Sequence, residues 1–166
     1  MEIVDKFNNK RELLNKTAQR HEKIKGEYRQ SAHIWIVNKE CKFLMQKRSK
    51  YKKSFAGKWS QTGGAVAEGE TPLQGALREC KEELGLDIPK KEIELIFSFK
   101  REYDFVDVWL VRKNIDIKKL KLQEEEVEEV KWVSKEEIEK MIKNNETTPN
   151  VDFYFNMLIK LIKEYN

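Results

Sequence analysis

Residues 64–86 read GAVAEGETPLQGALRECKEELGL, and their spacing decides both the fold class and the chemistry. Thr71 is a good N-cap and Pro72 suits the first helical position. Thr71 and Gln74 form a capping-box pair. Gly85 stands where a left-handed C-terminal cap is expected. These signals bound a helix over residues 71–84. At about 100° per residue, Leu73, Ala76, Leu77, Cys80 and Leu84 fall in one apolar stripe that must face a core. Glu79 and Glu83 lie one turn apart on the flank of that stripe. Glu82 lies further round, and Arg78 is nearly opposite the core.

Three carboxylates at i, i+3 and i+4 repel one another and raise one another's pKa. A hard cation removes the conflict. Magnesium takes oxygen ligands, keeps some water and commonly bridges carboxylates to substrate phosphates. The Gly63-Gly64 pair lets backbone approach a ligand closely, so the Gly64 carbonyl can add a ligand. Any one of these glutamates, taken alone in so Glu-rich a chain, reads as solvated surface. The pattern as a whole carries the metal reading.

Outward from the helix, alternating and buried apolar runs predict strands at Glu2–Phe7, Ala32–Val37, Lys42–Lys47, residues 92–100, residues 104–113 and Val127–Val133. Lys42–Lys47 reads as the hairpin partner of Ala32–Val37. In the strand at 104–113, Val106, Val108 and Leu110 share one face, and Phe105, Trp109 and Val111 the other, so it is a central strand covered on both sides. Lys135–Lys143 and Val151–Lys163 read as amphipathic helices. Residues 50–58 form an exposed basic loop, and residues 11–30 yield no assignment. Strands interleaved with helices predict an α/β protein with a mixed sheet and helices on both faces. The chain of 166 residues suits a single domain over 1–166, with 1–30 an N-terminal extension packing on it.

The net charge of +4 comes from 33 bases well mixed with 29 acids. No long basic block marks a nucleic-acid partner, but spare positive charge is available for an anionic small molecule. Cys41 and Cys80 match no metal-ligand spacing and suggest a reducing compartment. With no signal peptide and no apolar run long enough to span a membrane, a cytoplasmic protein is expected.

Residues 64–86 resemble the Nudix box: Gly, five residues, Glu, seven residues, then Arg-Glu-aliphatic-x-Glu-Glu-x-Gly-aliphatic. Gly64, Glu70, Arg78, Glu79, Glu82, Glu83, Gly85 and Leu86 match. Cys80 replaces the usual aliphatic residue and can pack as a small hydrophobe. The resemblance implies an α/β/α sandwich that hydrolyses a nucleoside diphosphate linked to another group, X, with magnesium or manganese. Glu79, Glu82 and Glu83 would bind metal, with a glutamate as base, and Arg78 belongs to the same catalytic helix. Glu70 and Arg78 would fix the loop against the helix, while Gly64 and Gly85 shape the backbone.

Upstream, His33–Asn38, Gln46–Ser49 and Gly57–Trp59 resemble the Nudix branch related to isopentenyl diphosphate isomerase. Those isomerases carry Cys-Gly-His just before the box, where this chain has Gly63, Gly64 and Ala65. The catalytic Cys and the metal-binding His are both missing, so hydrolysis is expected over isomerisation. A nucleotide-sensing module that binds without cutting is the competing class. The expected partner is a small-molecule diphosphate rather than nucleic acid or membrane, with homodimerisation left open.

Four further residues are candidates to bind substrate. Arg48 and Lys47, at the end of a strand, could hold phosphates. Glu126 abuts a strand start in an acidic run and could add a ligand or base. Asp107, inside an apolar strand, either reads the substrate or is a paired core acid. Trp35, Trp59, Phe105 and Trp109 read as core, and His21 and His33 as structural or exposed.

Overall fold

The computed structural model describes residues 2–164, and Met1, Tyr165 and Asn166 lie outside it. Its centre is β3 (Arg29–Val37), an almost wholly buried strand. On one edge β3 runs parallel to β8 (Asp104–Arg112), from Arg29↔Asp104 to Val37↔Arg112. Beyond it β7 (Ile93–Lys100) pairs antiparallel with β8. On the other edge β3 meets β4 (Phe43–Arg48), which pairs antiparallel with β9 (Val127–Val133). The sheet is therefore mixed, as the sequence predicts.

The expected hairpin of β3 and β4 is real but brief, because the strands pair at Val37↔Phe43 and then part. The chain from Trp59 to Ala65 enters the gap. Trp59–Ser60 (β5) pairs with β4, and Thr62–Ala65 (β6) pairs with β3. Gln61 marks the changeover. The result is a wedge that opens toward the start of β3 and the end of β4.

Side-chain alternation sends the two faces of this sheet to two cores. One face packs Ile34, Ile36, Trp109 and Val111 against Ala76, Cys80 and Leu84 of α1 (Pro72–Leu84). The other packs Trp35, Val106, Val108 and Leu110 against α2 (Lys135–Lys143) and α3 (Pro149–Glu164), through Ile138, Met141, Tyr154, Phe155 and Leu158. This is the α/β/α layering implied by the resemblance.

Residues 11–30 contain a strand that the sequence does not signal, β2 (Leu13–Gln19), which pairs with β1 (Ile3–Phe7). Most of β2 is exposed, so no face of it needs apolar residues and its periodicity is lost. The hairpin docks through backbone bonds from Glu68 N to Ile3 O and between Phe7 and Tyr28. The Gly69 N–H also donates to Asp5 Oδ2 at 2.8 Å.

The ends of α1 are built as expected. Thr71 and Gln74 exchange both capping-box bonds, and Gly85 closes the helix at φ 66°. A Cβ at position 85 would lie 2.8 Å from Lys121 Cβ. Gly85→Ala therefore meets both a left-handed backbone and a contact, and it should destabilise the fold by about 1–3 kcal/mol. Urea unfolding measures this, and an unchanged midpoint would contradict the account of the cap.

Candidate functional site

The flank of α1 carries two buried carboxylates. Glu79 is 7% exposed and Glu83 5%. Their burial follows from the helix wheel, which holds both beside the apolar stripe while α1 packs on β3 and β6. Glu79 approaches so closely that a Cβ on residue 64 would stand 2.2 Å from its Oε1. Any larger residue at 64 would push the Glu79 carboxylate from this position, which gives a physical reason for Gly64 in the pattern.

Hydrogen bonds hold each carboxylate in place. Gln46 Nε2 donates to Glu83 Oε2 at 2.7 Å, and the Gly63 N–H donates to the same oxygen at 3.3 Å. Gln46 is itself oriented by the Thr62 hydroxyl, which donates to its Oε1 at 2.9 Å. Arg78 Nη1 donates to Glu79 Oε1 at 3.1 Å and to Glu82 Oε2 at 3.0 Å. These donors do not offset the loss of water. Burial pushes the Glu79 carboxyl up to about 7 and that of Glu83 up to about 8, with Glu79 adding like-charge repulsion on Glu83.

Arg78 does more than its outward place on the wheel suggests. Its Nε and Nη2 grip Glu70 at 2.8 and 3.2 Å, and Nη2 also donates to the Ala65 carbonyl at 2.9 Å. The Ala67 N–H completes the Glu70 site at 3.0 Å. Glu70 and Arg78 thus tie the loop to the helix. Burial alone would weaken the hold of Arg78 on its proton, but Glu70, Glu79 and Glu82 strengthen it, and Glu2 also lies 3.5 Å from Nη2.

Glu79, Glu82 and Glu83 share a hollow with Arg78, Glu2, Arg20 and Glu126. It adjoins a cleft of ≈ 670 Å³ in the wedge between β3 and β4. The cleft is basic, with Arg20, Arg29, Arg48, Lys52, Lys53 and Arg101 in its walls. Gly63, Arg20 and Glu126 line both spaces, so an acidic compartment opens directly onto a basic one.

Among the described residues, no three acidic, imidazole or thiol side chains already converge as a metal cluster. Glu82 is half exposed and turned to Arg78. The chemistry of the donors nonetheless fits a hard cation. Two buried carboxylates with raised pKa values, a third at the rim and Glu126 nearby are all oxygen donors that a divalent ion would stabilise in their charged form.

The structure brings most of the sequence-predicted residues together, with two corrections. Arg48 lines the cleft, with its Nε donating to the Ser54 carbonyl at 3.1 Å. Glu126 stands between the compartments, paired with Lys52. Lys47 does not join them. Strand alternation turns it to the opposite face from Gln46 and Arg48, where it pairs with Glu128 at 3.1 Å. Asp107 also stays out of the cleft. It is buried beneath the N-terminal hairpin, where Arg11 grips it with two bonds of 2.8 and 2.6 Å and the Ser98 hydroxyl donates to it. It is the paired core acid of the two alternatives.

Gln46, Arg20 and Lys52 escape the sequence reading. Gln46 lies two residues before Arg48 on one strand face, a signal that alternation offers. Lys52 lies within the basic loop, which proves to be a cleft wall rather than plain surface. Arg20 has no local signal, because only the docking of the hairpin brings it there. Trp35 and Trp109 are core, whereas Trp59 and Phe105 are only partly buried, with Lys131 over the first ring and Arg11 and Lys100 over the second.

Comparison with known proteins bears on the family and the fold. The NUDIX domain family matches residues 27–153. An uncharacterized Nudix hydrolase of Listeria innocua is 38% identical over 163 residues, covering 97% of this chain and 95% of its own length. Among solved structures, a protein of Deinococcus radiodurans has a TM-score of 0.76 at 20% identity, covering 89% of this chain and 92% of its own. The NUDIX domain of Shewanella oneidensis NrtR, complexed with ADP ribose, has a TM-score of 0.64 at 18% identity over the same shares. The two structural likenesses concern the fold. With a family match over most of its length and a full-length relative, the chain belongs to the Nudix hydrolase family.

Proposed function

We propose that this protein hydrolyses the diphosphate linkage of a nucleoside diphosphate joined to a second group, with Mg²⁺ or Mn²⁺, in the cytoplasm. The observation that carries this reading is the pair of buried carboxylates, Glu79 and Glu83, opening onto a cleft walled by arginine and lysine. Acids that need a cation stand beside bases that need an anion. A diphosphate bound together with a divalent cation would satisfy both.

Glu79, Glu82 and Glu83, with the Gly64 carbonyl, would hold the ion. When bound, the ion neutralises diphosphate charge and makes a coordinated water more acidic. Gln46 and Gly63 fix one oxygen of Glu83 and leave the other for binding. Arg78 orients Glu79 and Glu82, and its grip on Glu70 keeps β6 and α1 in register. Arg48 and Lys52 bind phosphate oxygens from the basic side. Glu126 borders both compartments and is the candidate to take the proton of the attacking water.

No cysteine or histidine occupies positions 63–65, which argues against an isomerase. The domain complexed with ADP ribose makes ADP-ribose a natural first substrate, and it also motivates the competing binding-only reading.

A panel of ADP-ribose, nucleotide sugars, dinucleoside polyphosphates and nucleoside triphosphates, assayed with Mg²⁺ or Mn²⁺, tests the proposal. Glu83→Gln should lower kcat/KM by about 10³-fold, the order expected for a lost metal-binding or acid–base group. Arg48→Ala should raise KM by about tenfold through a lost charged hydrogen bond, and Lys47→Ala should stay within about twofold. Tight binding of a panel member with no turnover would favour a sensing module instead.

Stability should report the same carboxylates. Their folded-state pKa values, about 7 and about 8, exceed the ordinary 4.5. The folded chain therefore binds more protons than the unfolded one across that window. In chelator, stability should be greatest below about pH 4.5 with respect to these two groups, and it should fall by about 2 kcal/mol or more by about pH 8. Glu83→Gln should flatten the fall, and millimolar Mg²⁺ should restore stability at the alkaline end. Urea midpoints measured across pH would contradict this if the wild-type profile, compared with that of Glu83→Gln, showed no added slope.

A further inference from the structure

Trp35, Tyr154 and His33 form a chain of hydrogen bonds that ends in the cleft. Trp35 is buried in the core against Tyr154, which projects from α3. The Trp35 indole Nε1 lies 2.9 Å from the Tyr154 hydroxyl oxygen, and His33 Nδ1 lies 2.9 Å from the same oxygen. An indole N–H can only donate. The phenol oxygen therefore accepts from Trp35, and its own hydrogen remains to be given. Nδ1 of His33 is the acceptor within reach. With that nitrogen accepting from the phenol, the proton of a neutral ring belongs on Nε2.

The ring is locked in this orientation. It stacks on Tyr154 at 5.8 Å and meets Phe99 edge-on at 6.5 Å. Burial, reinforced by the charge of Arg101 and only partly opposed by Asp104, holds its pKa down to about 3. His33 lines the basic cleft. The Thr148 hydroxyl, in the same cleft wall, is sealed and has no partner.

We propose that His33 is a hydrogen-bond donor in the cleft wall, its Nε2–H reading an uncharged oxygen or nitrogen acceptor on the substrate. The acceptor belongs to a sugar, a base or the group X rather than to the diphosphate. Phosphate oxygens are served by the six cationic side chains of the same walls, and a neutral donor adds selectivity where charge cannot discriminate. The proposal rests on the hydrolase reading only for the kind of molecule that enters the cleft. His33 is a specificity residue, and Tyr154 is a positioning residue that acts through it.

The chain has two histidines, so ¹⁵N-histidine labelling isolates the ring once His21→Gln assigns the other. The wild-type protein should show His33 with Nε2 protonated and Nδ1 bare, unchanged from about pH 5 to pH 8. Tyr154→Phe should replace that signature with a mixture of tautomers. An Nδ1–H tautomer, or a ring that titrates in that range, overturns the proposal. The same resonance then scores ADP-ribose and the rest of the panel as binding probes. At least one should shift the Nε2 proton, and none doing so also overturns it. Turnover is scored separately, so binding without cleavage removes the hydrolase reading and leaves this one standing. For a member that is turned over, His33→Phe should raise KM by about five- to tenfold with kcat within about twofold, the scale of one neutral hydrogen bond. His33→Gln, which keeps a donor, should recover much of the loss. A fall in kcat at unchanged KM would overturn the assignment.

Discussion

The guanidinium of Arg78 is the interaction on which the site depends. It binds Glu70 in the loop, the Ala65 carbonyl on β6, and Glu79 and Glu82 on its own helix. Two carboxylates can be buried beside one another only where donors are already arranged for them. Arg78 supplies donors on one side, and Gln46 with the Gly63 amide supplies them on the other. A lysine could not do the same work, because its point charge lacks the planar fork that holds Glu70 bidentately while it reaches a carbonyl.

The fold serves this arrangement by splitting its sheet. Where β3 and β4 part, the interposed segment Trp59–Ala65 pairs with each in turn. The gap is therefore framed by strand ladders on both sides. Alternation along those strands then assigns each side chain to a compartment or away from it. Gln46 and Arg48 reach the site, and Lys47 between them does not. The overall charge of +4 conceals a sharp local division into acidic and basic spaces.

How much of this could be read from sequence depends on distance along the chain. The glutamate helix, its caps and its apolar stripe are local, so Thr71, Pro72 and Gly85 announce them. The central strands show because both of their faces are buried. Arg20, the partner of Asp107 and the function of the loop at 50–58 depend on contacts between residues far apart in sequence. Arg11 and Asp107 are separated by 96 positions, and no periodicity connects them. β2 was hidden for a different reason, since a strand with little buried surface has no apolar pattern to display. Lys47 shows the limit of reasoning from composition. A base at a strand end looks suited to phosphate until its face is known.

The pair of Arg11 and Asp107 also crosses the boundary that similarity alone would draw. The family match starts at residue 27, yet the counter-charge for a carboxylate buried within that match comes from residue 11. Losing Arg11 would leave the Asp107 charge buried without its counter-charge, which is destabilising. A boundary drawn by similarity would therefore cut through an electrostatic bond. The segment that precedes the match is wired into the matched sheet, because its arginine neutralises an acid that lies inside the match.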